Sequence, residues 1–292
     1  MKKYGIIDIG SNSVRARVFS DGKILYGDMR TTRLGEGLAV GTALTGNSIE
    51  RTVEAIAKFK AEFEKISVDE IYAFATEAVR SADNGRDFVK LTLEKTGLKI
   101  DVVSGDEEGE LGLLGAVGND DGGIIDIGGA SAEISVVKNK KIIYSHSLPL
   151  GAVRLYGACG EDEEKLDKMI SARLPEYGVV PKDVTFRAVG GTATTIAAMD
   201  IGLEKYDADR VDGYVLTREA IDRDYGLIKA LDRPRREELL HIPKKRSDII
   251  VCGAYMLKRI TENFGIEKVV VKESDNLLGY LKKRVYGESY ER

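Results

Sequence analysis

The 22 residues 5–26, GIIDIGSNSVRARVFSDGKILY, return at 123–144 as GIIDIGGASAEISVVKNKKIIY, 118 positions later and without a gap. Eleven of the 22 aligned positions are identical. Whatever local structure the first copy builds, the second must build as well. Each copy opens on an apolar, β-prone run that ends in Asp-Ile-Gly. In the first copy the chain then alternates, Val14, Ala16 and Val18 on one face and Arg15 and Arg17 on the other. Asp21-Gly22 is a hairpin signal before a third strand. The pattern predicts two β-meanders, with strands at 4–9, 13–19 and 23–26 and again at 123–127, 132–137 and 141–147. In both, the first turn is rich in glycine and serine.

Each meander is followed by a mixture of helices and strands. Ile49, Val53, Ile56, Phe59, Phe63 and Ile66 recur at spacings of three and four and predict a helix over 48–66. A strand at 70–75, a helix at 87–96 stopped by Gly97, a strand at 98–104 and a helix at 106–117 complete the first half. The second half predicts a helix over 161–174, a strand, glycine turn and helix in VTFRAVGGTATTIAAM, and a helix capped by Thr217 through 231. A helix at 247–264, a strand at 267–272 and a closing helix at 276–285 follow. GNDDGG (118–123) reads as the link between domains 1–119 and 120–292, with the last helix free to pack back on the first. The expected fold class is α/β, two duplicated domains around a central cleft. Two equivalent turns then face each other across a junction of the kind ligands favour.

The turn 8–13 reads Asp8-Ile9-Gly10-Ser11-Asn12-Ser13, and its counterpart 126–131 reads Asp126-Ile127-Gly128-Gly129-Ala130-Ser131. Glycine allows close approach of the backbone to a ligand, and successive N–H groups and hydroxyls form an anion-binding concavity. An Asp at the strand end beside a phosphate cradle can hold Mg²⁺. Where the first copy has Arg15 the second has Glu133, which adds a carboxylate to Asp126. Arg15 itself suits either a phosphate ligand or a solvated strand position. SGDEEGEL (104–111) sets Asp106, Glu107, Glu108 and Glu110 at a helix start. That arrangement satisfies the helix dipole, and it can also supply a base that orients water. Arg80, in ATEAVR after a strand, can reach a phosphate. Gly190, Gly191 and Thr192 in AVGGTATT form a second glycine-rich turn at a helix N-terminus, ready for phosphate. The stretch 233–248 holds Arg233, Arg235, Arg236, Lys244, Lys245 and Arg246, a solvated helical face by default and otherwise a steering patch for a polyanion.

Only two histidines (His146, His241) and two cysteines (Cys159, Cys252) are present, without a C-x-x-C. Catalysis should therefore rest on carboxylates, and no disulfide framework or zinc site is encoded. A net charge of −4 argues against a generic nucleic-acid binder. The first apolar run breaks at Asp8, too early for a signal peptide, and no run of about 18 apolar residues exists for a membrane span. A cytoplasmic location is expected.

Taken together, GIIDIGSNSVR, RLGEGL (33–38), ATEAVR, VVSGDEEGEL, IDIGGASAEI, PLGAVRL (149–155) and VGGTATT resemble, in their order, the Ppx/GppA phosphatase family of exopolyphosphatases and guanosine pentaphosphate phosphohydrolases. The resemblance implies an actin-like, sugar-kinase-like (ribonuclease H-like) duplicated fold in a short two-domain form. By it, Glu108 matches the catalytic base and Arg80 an active-site arginine. Asp126 and Glu133 match Mg²⁺-associated carboxylates, to which the reading of the first turn adds Asp8, and Gly128, Gly129 and Ser131 match the phosphate loop. The implied substrate is inorganic polyphosphate or pppGpp, with Mg²⁺ as cofactor. Neither a membrane nor a specific nucleic acid is an expected partner, and a homodimer is compatible. A kinase or ATPase of the same superfamily and a catalytically weak alarmone sensor are the rival expectations. Two departures bear on these: Ala130 replaces the third glycine of the usual loop, and ESDNLLGYL (273–281) lacks the family's C-terminal arginine.

Overall fold

A computed structural model describes residues 1–39 and 41–291. Strands β1 (Tyr4–Ile9), β2 (Ser13–Ser20) and β3 (Lys23–Thr31) form the first antiparallel meander. Helix α1 (Gly46–Lys65), strand β4 (Glu70–Ala75), helices α2 (Glu77–Ser81) and α3 (Gly85–Thr96), and strand β5 (Ile100–Val102) follow. Helix α4 (Gly105–Ala116) leads to the second meander, β6 (Gly122–Ile127), β7 (Ala132–Lys138) and β8 (Lys141–Leu148). Then come α5 (Ala152–Cys159), α6 (Glu163–Arg173), β9 (Phe186–Val189), α7 (Gly190–Ile201), α8 (Ala208–Val211), β10 (Val215–Thr217) and α9 (Arg218–Ala230). The chain closes with α10 (Arg233–Leu239), α11 (Ile250–Phe264), β11 (Lys268–Val271) and α12 (Asn276–Val285).

The sheets are ordered β3-β2-β1-β4-β5 and β10-β11-β9-β6-β7-β8. The repeat is thus topological as well as textual: β4 runs parallel to β1 as β9 runs parallel to β6. The registers coincide too, with Asp8 opposite Arg15 and Asp126 opposite Glu133. Ile56, Phe59 and Phe63 of α1 pack on Ile7, Ile9, Val14 and Val18 in one core. A larger core joins β6 and β7 to α7, α9 and α11 through residues such as Ile125, Ile134, Ile196, Ile221 and Met256.

Two helices tie the halves together. Leu111 of α4 lies with Ile6, Phe74 and Val103 of the first half, while Leu113, Leu114 and Val117 pack on Ile124, Val137 and Val189 of the second. Helix α12, last in the chain, places Leu277, Tyr280 and Leu281 in the core of the first sheet. Tyr280 stacks on Phe74 at a centroid distance of 4.6 Å. The two helices cross with backbones in close approach. A Cβ at Gly279 would lie 1.8 Å from the Leu111 carbonyl oxygen, and one at Gly115 would lie 2.2 Å from that of Asp275.

Long, strongly periodic elements lie where the pattern puts them; short ones do not. The strand expected over 98–104 is paired only over Ile100–Val102, and β3 continues past 26 to Thr31. The helix expected from 247 begins at Ile250, and the one expected from 161 begins at Glu163. Helices α2, α5 and α8 and strand β10 had no signal, because three to eight residues are too few for a period to register, and of the helical face expected over 233–248 only α10 is helix. The basic stretch is not one solvated face. Arg236 is 1 % exposed, clasping Glu161 with both terminal nitrogens at 2.6 Å and donating to the Ile228 and Ser247 carbonyls.

Candidate active site

Both Gly-Ser turns open into one crevice of about 840 Å³, part of it open to solvent. A side chain at Gly129 would lie 2.9 Å from Ser11 Cβ and 3.0 Å from the Asn12 amide nitrogen, so the two turns touch across it. Each turn is closed by an equivalent bond, Gly10 N–H to Ser13 O and Gly128 N–H to Ser131 O, both 3.0 Å. Their carbonyls are occupied from outside: Thr32 and Arg33 amides donate to Asn12 O, and Val153 and Arg154 amides to Gly129 O. No backbone acceptor is recorded, among the described residues, for the amides of Ser11, Asn12, Gly129 and Ala130. These donors are what a phosphoryl group requires. Ala130 is not among the residues with positive φ, so its Cβ costs the loop nothing.

The acids follow from register. Cross-strand neighbours at the strand ends point to the same face. In the first half that pairs Asp8 with a cation: Arg15 Nε donates to Asp8 Oδ2 at 3.0 Å, and Arg15 Nη1 also grips Asp275. Arg15 is therefore neither solvated nor free; it neutralises two buried carboxylates and lines the crevice. In the second half the same geometry sets Asp126 against Glu133, two like charges. Burial pushes Glu133 up to about 8, with Asp126 adding to it, against hydrogen bonds from Ser147 and Ser131. Asp126 is pushed up to about 6 by burial, with Arg15 opposing and Asp275 and Asp8 reinforcing. Glu108, at the start of α4, is held well above the usual carboxylate range by burial and then by Glu133, against the pull of Arg80. Asp8 Oδ1 and Glu133 Oε2 are buried without a hydrogen-bond partner.

Those orphaned oxygens and unneutralised acids fit a hard divalent cation. No three His, Cys, Asp or Glu side chains converge into a ready cage among the described residues. Mg²⁺ does not ask for one, since it commonly takes one or two carboxylates and completes its shell with water and substrate phosphate.

Arg80 stands beside Glu108. It does not line the crevice; it donates to Val103 O at 2.6 Å, Glu77 Oε2 at 2.7 Å and Glu108 Oε2 at 3.2 Å. A guanidinium with three such acceptors positions Glu108 rather than meeting a phosphate. Glu77 is shared with Arg154, whose Nε donates to Ala130 O at 3.1 Å, so one chain of charge runs from Glu108 to the second turn.

Gly190, Gly191 and Thr192 at the head of α7 also line the crevice. Gly190 has φ +83°, and a Cβ there would come 2.7 Å from Asp126 Oδ1, which explains the glycine twice over. Arg246 was not singled out from the sequence, being one of six cations in a basic run. It bonds Gly191 O at 3.0 Å and Thr195 Oγ1 at 3.1 Å, lines the crevice, and has no carboxylate within ion-pair distance among the described residues. Asn276 also reaches the wall, its Oδ1 unpartnered.

Twin meander-based domains with touching glycine-rich turns and buried carboxylates define a duplicated α/β scaffold with one crevice between its halves. A model of the Ppx/GppA phosphatase family matches residues 15–275. The chain belongs to that family. Exopolyphosphatase 2 of Mycobacterium tuberculosis is 28 % identical over 96 % of this chain and 97 % of its own length. A bifunctional 3-dehydroquinate synthase/phosphatase of Fusobacterium nucleatum is 30 % identical over 94 % of this chain, which spans 45 % of that protein. The crystal structure of the Aquifex aeolicus Ppx/GppA family member superposes with a TM-score of 0.81 at 28 % identity, covering 99 % of both chains. Among the described residues no helix is long and apolar enough to cross a membrane.

Proposed function

We propose that this protein is a Mg²⁺-dependent phosphohydrolase that releases the terminal phosphate of a linear phosphoanhydride, inorganic polyphosphate or pppGpp. The observation that carries the reading is the meeting of two amide-lined turns over the buried acids Asp126 and Glu108, with Glu133 cross-strand from Asp126 just outside the crevice lining. Similarity to exopolyphosphatases and to a guanosine-5'-triphosphate,3'-diphosphate pyrophosphatase of Pseudoalteromonas translucida, 28 % identical over 91 % of this chain and 56 % of that protein, supports the substrate class.

The amides and hydroxyls of both turns hold the terminal phosphoryl group, and Arg246 with the head of α7 accepts its remaining charge. Asp126 and Glu133 would hold Mg²⁺, with Asp8 on the opposite wall, and a bound ion there would supply charge neutralisation for the phosphate oxygens and the leaving group. Glu108, steadied by Arg80, orients a water and takes its proton. A buried carboxylate with a raised pKa is the stronger base once ionised. Phosphate release measured in parallel on polyphosphate, pppGpp and ATP, with Mg²⁺ and with chelator, tests this. Mg²⁺-dependent release from the first or second substrate is expected. ATP consumption only with an acceptor, or nucleotide binding without release, would replace hydrolysis by a kinase or a sensor.

The acids also predict how stability varies with pH. Asp126 and Glu133 have folded pKa values of about 6 and about 8, above the ordinary 3.8 and 4.5. The folded state therefore binds more protons than the unfolded one across this window. Their contribution is complete below about pH 4 and is lost as pH rises through 6 and then 8. Metal-free protein should melt at a falling temperature from pH 5 to pH 8. Mg²⁺, which needs the ionised acids, should raise the melting temperature more at pH 8 than at pH 5. Glu133→Gln should flatten both trends; a flat profile in the parent protein would remove these acids from the metal assignment.

A further inference from the structure

Three consecutive carbonyls of the second turn point at helix α5. The amide of Ala152 donates to Gly128 O at 2.9 Å, and those of Val153 and Arg154 donate to Gly129 O at 2.8 and 3.0 Å. The Ala130 carbonyl is taken by a side chain, Arg154 Nε, at 3.1 Å. A trans peptide sets its N–H opposite its C=O. The amides that follow, those of Gly129, Ala130 and Ser131, are therefore turned away from α5. None of the three has a recorded backbone acceptor among the described residues. Arg154 thus fixes the last peptide of the anion cradle.

The same guanidinium reaches across to the first half, where Arg154 Nη2 donates to Glu77 Oε1 at 3.3 Å. Glu77 opens α2, directly after Thr76, which lines the crevice. Its other oxygen, Oε2, accepts from Arg80 Nη2 at 2.7 Å and from Arg80 Nε at 3.2 Å. Arg80 Nη1 in turn holds Glu108 Oε2 at 3.2 Å and Val103 O at 2.6 Å. The Glu77 side chain is 12 % exposed and the Glu108 side chain 8 %, so the links are largely shielded from water and from screening. Two guanidinium groups and two carboxylates balance in charge. Glu77 touches both guanidinium groups, one from each half, and joins the chain at its middle.

We propose that Glu77 is a positioning residue for the hydrolysis, a single carboxylate that sets the Glu108 base of one half and the phosphate-binding turn of the other in register. Glu77 itself does not line the crevice. It acts through Arg80 on Glu108 and through Arg154 on the Ala130–Ser131 peptide. This rests on reading the crevice as a phosphohydrolase site.

The test compares Glu77→Ala, Arg154→Ala and the double variant, each in the parent and in Glu108→Gln protein. kcat, KM and the affinity for tripolyphosphate are measured well below each melting temperature. In the parent background Glu77→Ala should lower kcat about 10- to 100-fold, the cost of a base displaced by an ångström or less. In the Glu108→Gln background the same change should lower kcat by less than about threefold, because the base that it steadies is already gone. Tripolyphosphate affinity should fall in both single variants. The double variant should lie within about twofold of Arg154→Ala, since Glu77 acts on the turn only through that side chain. A kcat for Glu77→Ala within about threefold of the parent, equal losses of kcat in the two backgrounds, or additive losses of tripolyphosphate affinity would reduce Glu77 to a structural ion pair and overturn the proposal. Glu77→Gln, nearly isosteric but with an acceptor oxygen for one guanidinium only, carries the same comparisons if the alanine variant does not fold. Should the parent release phosphate from no substrate, the hydrolase reading falls, and the tripolyphosphate comparison decides the Glu77–Arg154 link by itself.

Discussion

Glu108→Gln should lower the rate of phosphate release by about 10² to 10⁴-fold, the range a general base supplies. The amide is nearly isosteric and can keep an acceptor oxygen toward Arg80, so the position of α4 should not change. It removes a negative charge from a buried group of acids in which Glu133, Asp126 and Asp8 all disfavour ionisation of Glu108. Melting temperature should therefore hold or rise, and KM should move far less than kcat. Glu107, next in sequence, is the control. It faces away, paired with Arg284 at 3.3 Å and Lys283 at 3.5 Å. Glu107→Gln should leave kcat unchanged, although both glutamates stand in the same acidic run. Steady-state and single-turnover rates on the two variants decide the matter: kcat for Glu108→Gln within threefold of the parent would strip Glu108 of the role of base.

The second large effect is on stability. Gly279→Ala should destabilise the fold by about 3 kcal/mol or more, lowering the melting temperature by roughly 6–12 °C for a chain of this size. The added methyl would sit 1.8 Å from the Leu111 carbonyl oxygen and 2.6 Å from its carbon, and backbone cannot swing aside as a flexible side chain can. Relief requires α12 to slide off α4, which lifts Leu277, Tyr280 and Leu281 from the first sheet and disturbs Asp275 against Arg15. Phosphate release should weaken along with stability. Gly226→Ala in α9 is the contrast, since a Cβ there meets nothing within 4 Å. That change should stabilise by about 0.5–1 kcal/mol through helix propensity. Thermal melts of both variants are sufficient; a Gly279→Ala protein as stable as the parent would mean that the crossing is looser than the backbone contact implies.

These predictions depend on different parts of the chain's information. The meanders, their turns and the placing of Glu133 with Asp126 were legible because they are local, whereas the ion pair of Arg15 with Asp8 was not. Alternation sets the face, and a hairpin sets the register within a few residues. Glycine positions were legible as turns, although the reason for Gly190 appears only with Asp126 Oδ1 beside it. The partners of Arg80 and Arg246 were not legible for one reason: a guanidinium can serve a phosphate or a carboxylate equally well, and the sequence does not say which is within reach. Arg80 meets Glu77 one helical turn away but also Val103 O and Glu108, whereas Arg246 meets Gly191 O and no carboxylate among the described residues; apart from Glu77 these partners lie 23 to 55 residues away. Arg236 shows the same limit in burial, since nothing local distinguishes it from its exposed neighbour Arg235.

The sequence by itself determined that this protein is a doubled α/β chain with two anion-binding turns, because repeats, alternation and turn residues are short-range signals that each copy carries complete. The tertiary structure alone decided that the turns touch, that α12 returns across the chain to dock on α4, and that one half neutralises its aspartate while the other leaves two acids facing each other uncompensated. Those outcomes depend on distances between residues far apart in the chain, where burial and charge act through space.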